Sequence, residues 1–309
     1  MSALTLKGPA WITVRQHRRV LWAVPVLVGA GLVAVIALRV WLGNPGADGM
    51  YGRGHDSAWN LLRLCMEYGG NVLLFLPLLV GAFVAGPMVA RELESGTWRL
   101  ALTQSVSAKS WLGAKVLVAA AVSVLAPLAL IGVYRLGWSP VDGTWSLGWP
   151  DRGPYEATGP VLIGYCLLAV ALGALVGQLV RRTLVAMTVT GLLMGLVLLV
   201  LGALRWSFLP VETNTVPFPG SLPPFPRDAF MMDTGFLTAT GDRLSENICF
   251  ERTQSVTDCP ADLNITAQYL DFHPVSHYWP TQLIETSILL ALAAAVLYAA
   301  FRLVRARHH

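Results

Sequence analysis

Six stretches of the chain are apolar almost without interruption, at residues 20–38, 70–90, 115–134, 160–180, 184–204 and 281–301, and polar residues collect between them. A helix rises about 1.5 Å per residue, so about 20 apolar residues cross a hydrocarbon core of about 30 Å. Each stretch therefore predicts a membrane-spanning helix, and together they predict an all-α integral membrane protein. The first stretch follows Arg15, Arg18 and Arg19, as a secretory signal would. It is too long for a signal core and no small-residue cleavage site follows it, so it reads as a retained helix.

The polar segments between the spans are unequal. Residues 39–69, 135–159 and 205–280 form long connections on one side. On the other side are residues 91–114 and the short Arg181-Arg182-Thr183 link. This divides the chain into an N-terminal segment (1–19), five spans (20–204) with a loop at 87–110, a large segment (205–280), and a sixth span with a basic tail (281–309). In the N-terminal segment Trp11, Ile12 and Val14 lie beside the basic cluster, which suits an amphipathic helix in the headgroup region or a plain cationic anchor.

Composition agrees with the pattern: 55% of residues are hydrophobic and 13% charged, with a mean hydropathy of +0.57. Charge adds orientation, because Lys and Arg are retained on the cytoplasmic side. With both termini inside, the inner side carries Lys7, Arg15, Arg18, Arg19, Arg91, Arg99, Lys109, Lys115, Arg181, Arg182, Arg302, Arg305 and Arg307, against only Glu92 and Glu94. The outer side keeps nine of the 22 basic and 16 of the 18 acidic residues. The expected location is thus the plasma membrane, multi-pass, with cytoplasmic termini. The basic pI reflects this topology, and no nucleic-acid partner is expected.

Several chemistries are absent. Ion-driven transporters place ionisable groups at depth. Here the middle of the spans offers Ser123, Thr188 and Thr190, while Glu67, Glu285, Arg39, Arg135 and Arg205 fall at outer ends, where long side chains can reach the interface. There is no arginine ladder, no potassium-filter loop and no phosphate-binding G-x-x-x-x-G-K-[ST] loop, so no catalytic or ATP-binding residue is assigned. His273 and His277 have metal-like spacing, but Pro274 and the lack of a paired acid favour two solvated histidines and no metal.

In the outer segment, Pro210, Pro217, Pro219, Pro223, Pro224 and Pro226 forbid long helices and favour extended or turn backbone. Cys249 and Cys259 lie in a compartment that permits a disulfide; the alternative is two unpaired thiols. Cys65 lies near the outer end of the second span, and Cys166, within the fourth, reads as a small apolar filler. Gly173 with Gly177, and Gly191 with Gly195, are small-xxx-small pairs that allow close helix packing, whether or not they form a dimer face.

The stretch RELESGTWRL (residues 91–100) puts two acids on a side otherwise basic. A break is expected at Gly86-Pro87, then a short helix through ARELES, then a second break at Gly96. Glu92, Glu94, Gly96, Thr97, the LALTQSVS run (100–107) and Lys115 resemble the loop between the second and third spans of ABC-2 type transporter permeases. The six-span plan, basic N-terminal helix and outer segment extend that resemblance over most of the chain. In the family the segment before the sixth span usually has short re-entrant helices, and here it is larger.

The resemblance implies that Arg91, Glu92, Glu94, Gly96 and Thr97 belong to a coupling helix that docks onto a separate nucleotide-binding ATPase, which would bind ATP and magnesium. A second permease copy would complete the assembly, exporting an amphipathic or apolar substrate such as a drug, antibiotic, peptide or lipid. On the residues alone, Glu92 and Glu94 equally fit local pairs with Arg91 or Arg99. The rival function is a receptor or assembly subunit acting through the outer segment. A lipid-modifying enzyme would need a polar site at depth that the spans do not supply.

Overall fold

In lipid every backbone N–H and C=O must be satisfied within the protein, so apolar segments of this length fold as helices. The computed structural model describes residues 18–43, 53–98, 107–143, 147–220, 222–254 and 259–307. Among these, six helices are long and apolar enough to cross a membrane. The expected N-terminal interfacial helix and Leu100–Val106 of the LALTQSVS run lie outside the described residues.

Helix α1 (Arg18–Gly43) is the first span. Helix α2 (Arg53–Leu79) continues through a π-helical turn (Val80–Ala85) into α3 (Gly86–Ser95). The expected break at Gly86-Pro87 does not occur. Pro87 lacks an N–H and its ring opposes the carbonyl four residues back. The wider π turn just upstream accommodates this, and Pro87 occupies the first turn of α3, where no donor is needed. The span is 39 residues long, about 59 Å at 1.5 Å per residue and far beyond the 70–90 read from apolarity. Much of the connection expected at 39–69 is therefore helix.

The third span is α4 (Ala108–Trp138), whose N-cap Ser107 accepts the Ser110 N–H at 3.2 Å. A short helix α5 (Arg152–Thr158) precedes the fourth span α6 (Val161–Val180), the fifth span α7 (Thr183–Leu204) follows, and the sixth is α9 (Tyr278–Arg307). Helix α6 is the centre of the bundle: 78% of its apolar window is buried, against 6% for α1. Small residues make that possible. A Cβ on Gly173 would lie 2.4 Å from the Ala85 backbone, one on Gly177 3.0 Å from the Ala90 nitrogen, and one on Gly164 3.2 Å from Leu289. On α7, Gly191 faces Ala82 at 3.2 Å and Gly195 faces Leu78 at 3.6 Å. All four glycines singled out in the sequence thus pack within the chain.

Residues 206–281 form a second compact unit. The all-α expectation is corrected there. Strands β1 (Glu212–Pro217), β2 (Phe230–Thr238), β3 (Arg243–Ser245) and β4 (Ile265–His273) make an antiparallel sheet in the order β1-β4-β2-β3. Prolines at the ends and edge of strands fit this arrangement, since Pro217 closes edge strand β1. Asp271 on β4 takes an ion pair from Arg243 and a hydrogen bond from Thr213. Helix α8 (Ile248–Thr253) carries Cys249, which is disulfide-bonded to Cys259.

Candidate functional site

The ARELESGT stretch is the last turn and cap of α3. Gly96 has φ +74, a left-handed conformation that costs glycine nothing and ends the helix. Ser95 and Thr97 bond through their hydroxyls at 2.9 Å just beyond.

Both carboxylates are engaged inside the chain. Glu92 Oε1 accepts from Lys115 Nζ at 2.6 Å and Oε2 from Trp111 Nε1 at 2.8 Å. Lys115 keeps only 4% of its side chain exposed. Beneath this pair, Met88, Val89, Trp111, Leu112, Val116, Val170, Ala174, Ala300 and Val304 form one apolar cluster, joined by Leu93 and Trp98. Helix α3 is thereby fastened to α4, α6 and α9.

Glu94 Oε2 accepts the Thr183 backbone N–H at 2.9 Å and the Thr183 hydroxyl at 2.5 Å. The first N–H groups of a helix have no partner of their own and carry the positive end of its dipole. An external carboxylate thus caps the fifth span. Arg307 Nη1 donates to the Gln178 carbonyl at 2.6 Å, so the end of the sixth span serves the end of the fourth in the converse sense. Neither carboxylate is bonded to Arg91; Arg99 lies outside the described residues. Among the described residues the exposed ionic side chains at this end of the bundle are Arg91, Glu94, Lys109, Arg181, Arg182, Arg302, Arg305 and Arg307, and Thr97 is exposed beside them.

A second polar cluster lies at the other end of the spans. Arg205, Glu156 and Glu285 are each at least 97% buried. Arg205 Nε donates to Glu285 Oε2 at 2.8 Å, and its Nη2 to Glu285 Oε1 at 3.0 Å and Glu156 Oε1 at 2.5 Å. The Tyr165 hydroxyl donates to Glu285 Oε1 at 2.5 Å, and the guanidinium lies 3.7 Å from the Tyr155 ring centroid. Gln282 stitches the neighbourhood together: its Nε2 donates to the Tyr155 carbonyl at 2.7 Å and its Oε1 accepts the Val161 N–H at 3.2 Å. Gly159 makes room for it, since a Cβ there would fall 2.1 Å from Gln282 Oε1.

This corrects the expectation that Arg205 and Glu285 extend to the interface; they are buried and paired with each other. Arg135 likewise turns to the Thr158 carbonyl at 2.6 Å, and Arg39 bonds the Ser139 hydroxyl. Sequence reasoning missed Glu156 altogether. The available signal was Glu285 itself, an acid within the first turns of the 281–301 apolar stretch with no base one turn away.

In the second unit His273 and His277 approach through Nδ1 at 3.0 Å, and His273 Nε2 faces the Trp206 carbonyl at 3.1 Å. Burial holds His273 below the ordinary imidazole range. Glu212 lies 3.8 Å from His277 Nε2. Among the described residues no group of three or more His, Cys, Asp or Glu side chains is placed to hold a metal. Cys65 is exposed and Cys166 buried.

Six apolar helices, the fourth the most buried of them, define a multi-pass membrane protein. The chain belongs to the ABC-2 membrane transporter related family, whose model matches residues 19–205. It is an ABC-2 type permease, a transporter component of a kind that generally works with an ATPase subunit. The match includes both polar clusters except the residues of the sixth span, Gln282, Glu285, Arg302, Arg305 and Arg307, and it stops before the sheet-bearing unit. No curated protein and no solved structure matches the chain.

Proposed function

We propose that the chain is the membrane-spanning subunit of an ATP-driven exporter, working as two permease copies with two nucleotide-binding subunits. The chain itself is not an enzyme; ATP and magnesium belong to the partner. Both termini and the ARELESGT turn face the cytoplasm, as the distribution of Lys and Arg supports.

The observation that carries this reading is the fastening of α3. A push on its end passes to the third span through Glu92 with Lys115 and Trp111, and to the fifth through Glu94 with Thr183. A lever needs such rigid connections, whereas a solvated loop does not. Arg91, Gly96 and Thr97 then supply the contact surface. Glu92 transmits the movement from a nearly closed site, and exposed Glu94 passes it to the fifth span through Thr183 while staying open to the partner. The polar groups in mid-span are hydroxyls, which suits an amphipathic or apolar substrate such as a drug, antibiotic, peptide or lipid.

The test is a mild-detergent pull-down of the chain from its native membrane, with partner mass spectrometry and an ATPase assay. A stoichiometric P-loop protein with nucleotide hydrolysis is expected. Recovery of the chain alone, without hydrolysis in several detergents, would overturn the reading.

A further inference from the structure

The buried cluster contains one cation and two carboxylates. With both carboxylates ionised it would carry a net negative charge in a site nearly closed to water, and a buried charge without compensation is among the most expensive arrangements in a protein. The two acids are not equally provided for. Glu285 receives two guanidinium N–H groups and the Tyr165 hydroxyl. Glu156 shares one of the same guanidinium nitrogens at Oε1, and its Oε2 is buried with no hydrogen-bond partner among the described residues. That oxygen has essentially no accessible surface, so a metal ion or an ammonium group does not fit against it. A proton does.

We infer that the Glu156 carboxyl is a proton-binding site, protonated while Arg205 serves Glu285, and that release of this proton loosens α5 from the spans around it. Protonation brings the cluster to neutrality and leaves Glu285 as the single ionised partner of Arg205. Deprotonation places two carboxylates on one guanidinium, and their repulsion is little screened in a dry site.

The other ionisable groups around α5 do not replace Arg205 in this role. Arg63 and Glu67 of α2 pair with each other at 3.3 Å. Arg135 of α4 is turned to the Thr158 carbonyl, Tyr134 donates to the Met66 carbonyl at 3.1 Å, and Tyr165 of α6 donates to Glu285. On the segment of α5 itself, Asp151 accepts the Gly148 N–H at 2.8 Å, Tyr155 lies against the guanidinium, and Arg152 lies near Gly202. Burial pushes the Glu156 carboxyl up to about 7, Arg205 drawing it down less than burial raises it. Because the two acids share one cation, the proton belongs to the pair, and the unequal donors locate it on Glu156.

The sign of the pH dependence follows. Between the ordinary glutamate range and about 7 the folded state holds a proton that the unfolded chain has lost. Stability from this site is complete below that window and falls across it as pH rises, with the unfolding constant increasing about tenfold per pH unit.

The experiment is thermal unfolding of the full chain in detergent across this range, for wild type and Glu156→Gln, together with infrared spectra of the carboxyl carbonyl stretch. We expect the wild-type midpoint to fall with pH relative to the variant, and a protonated-carboxyl band that is present at about pH 6, titrates near 7 and is missing from Glu156→Gln. Parallel unfolding profiles, or a band unchanged by the substitution, would overturn the proposal. If the variant does not fold, wild-type spectra decide: absence of any protonated-carboxyl band at about pH 6 overturns it, and a band titrating near 7 supports it.

Discussion

Lys115 at the start of the third span reaches Glu92 at the end of the second, Nζ to Oε1 at 2.6 Å, across 23 positions of sequence. The pair is nearly closed to solvent, with 4% of the lysine and 17% of the glutamate side chain exposed, and Trp111 donates to the remaining oxygen. Removing one member of a buried ion pair leaves the other charge uncompensated, whereas removing both charges leaves none. Glu92→Gln should therefore lower stability by about 3 kcal/mol, and Glu92→Gln with Lys115→Met should recover most of it. Thermal unfolding of the two single variants and the double variant checks this. Additive losses would mean that the pair is not coupled.

Glycine packing on the fourth and fifth spans gives a graded prediction. A methyl on Gly173 would collide with the Ala85 backbone at 2.4 Å, and backbone cannot swing aside as a side chain can. A methyl on Gly195 would meet Leu78 Cδ1 at an ordinary 3.6 Å. Gly173→Ala should cost about 2 kcal/mol or more, and Gly195→Ala should stay within about 0.5 kcal/mol of wild type. Equal effects in a melting assay would show that the closeness of α6 to the π turn is not what holds the bundle.

The spans were legible because a helix in lipid meets its own backbone needs and advertises its length in apolar residues. What the sequence left hidden was mostly the pairing of polar groups with distant partners. The second span extends to Arg53 and Ser95 through residues that are not apolar, such as Arg63 and Glu67, so apolarity marked only its middle. Gly86-Pro87 looked like a break because the compensating π turn has no sequence signature. Glu94 and Thr183 are 89 positions apart and Arg205 and Glu285 are 80 apart, separations no local pattern reveals. In the segment after the fifth span the prolines favoured extended or turn backbone, but the strand pairing was hidden because β1 and β4 meet across at least 50 positions.

The Cys249–Cys259 bridge closes a small loop on the sheet-bearing unit. Cross-linking limits the unfolded chain, and for a loop of about ten residues the expected contribution is about 2.5 kcal/mol. Non-reduced peptide mapping should recover the cross-linked pair. Cys249→Ser with Cys259→Ser should raise hydrogen exchange across α8 and leave the six spans unaffected. Free thiols at both positions in the native protein would remove the bridge.

Glu94 separates a strut from a docking contact. If its carboxylate touched the ATPase directly, changes at Thr183 would matter little. As the cap of the fifth span it depends on Thr183, whose N–H and hydroxyl it holds. Thr183→Val keeps the N–H and loses the hydroxyl bond. It should reduce transport by about tenfold or less while the ATPase still co-purifies. Glu94→Arg removes both bonds and places a cation at the positive end of the helix, so it should abolish ATPase stimulation in a chain that still elutes as wild type does. Transport assays in proteoliposomes beside co-purification read both variants. Unchanged transport in Thr183→Val, with loss of the ATPase only in Glu94→Arg, would return the residue to the docking surface.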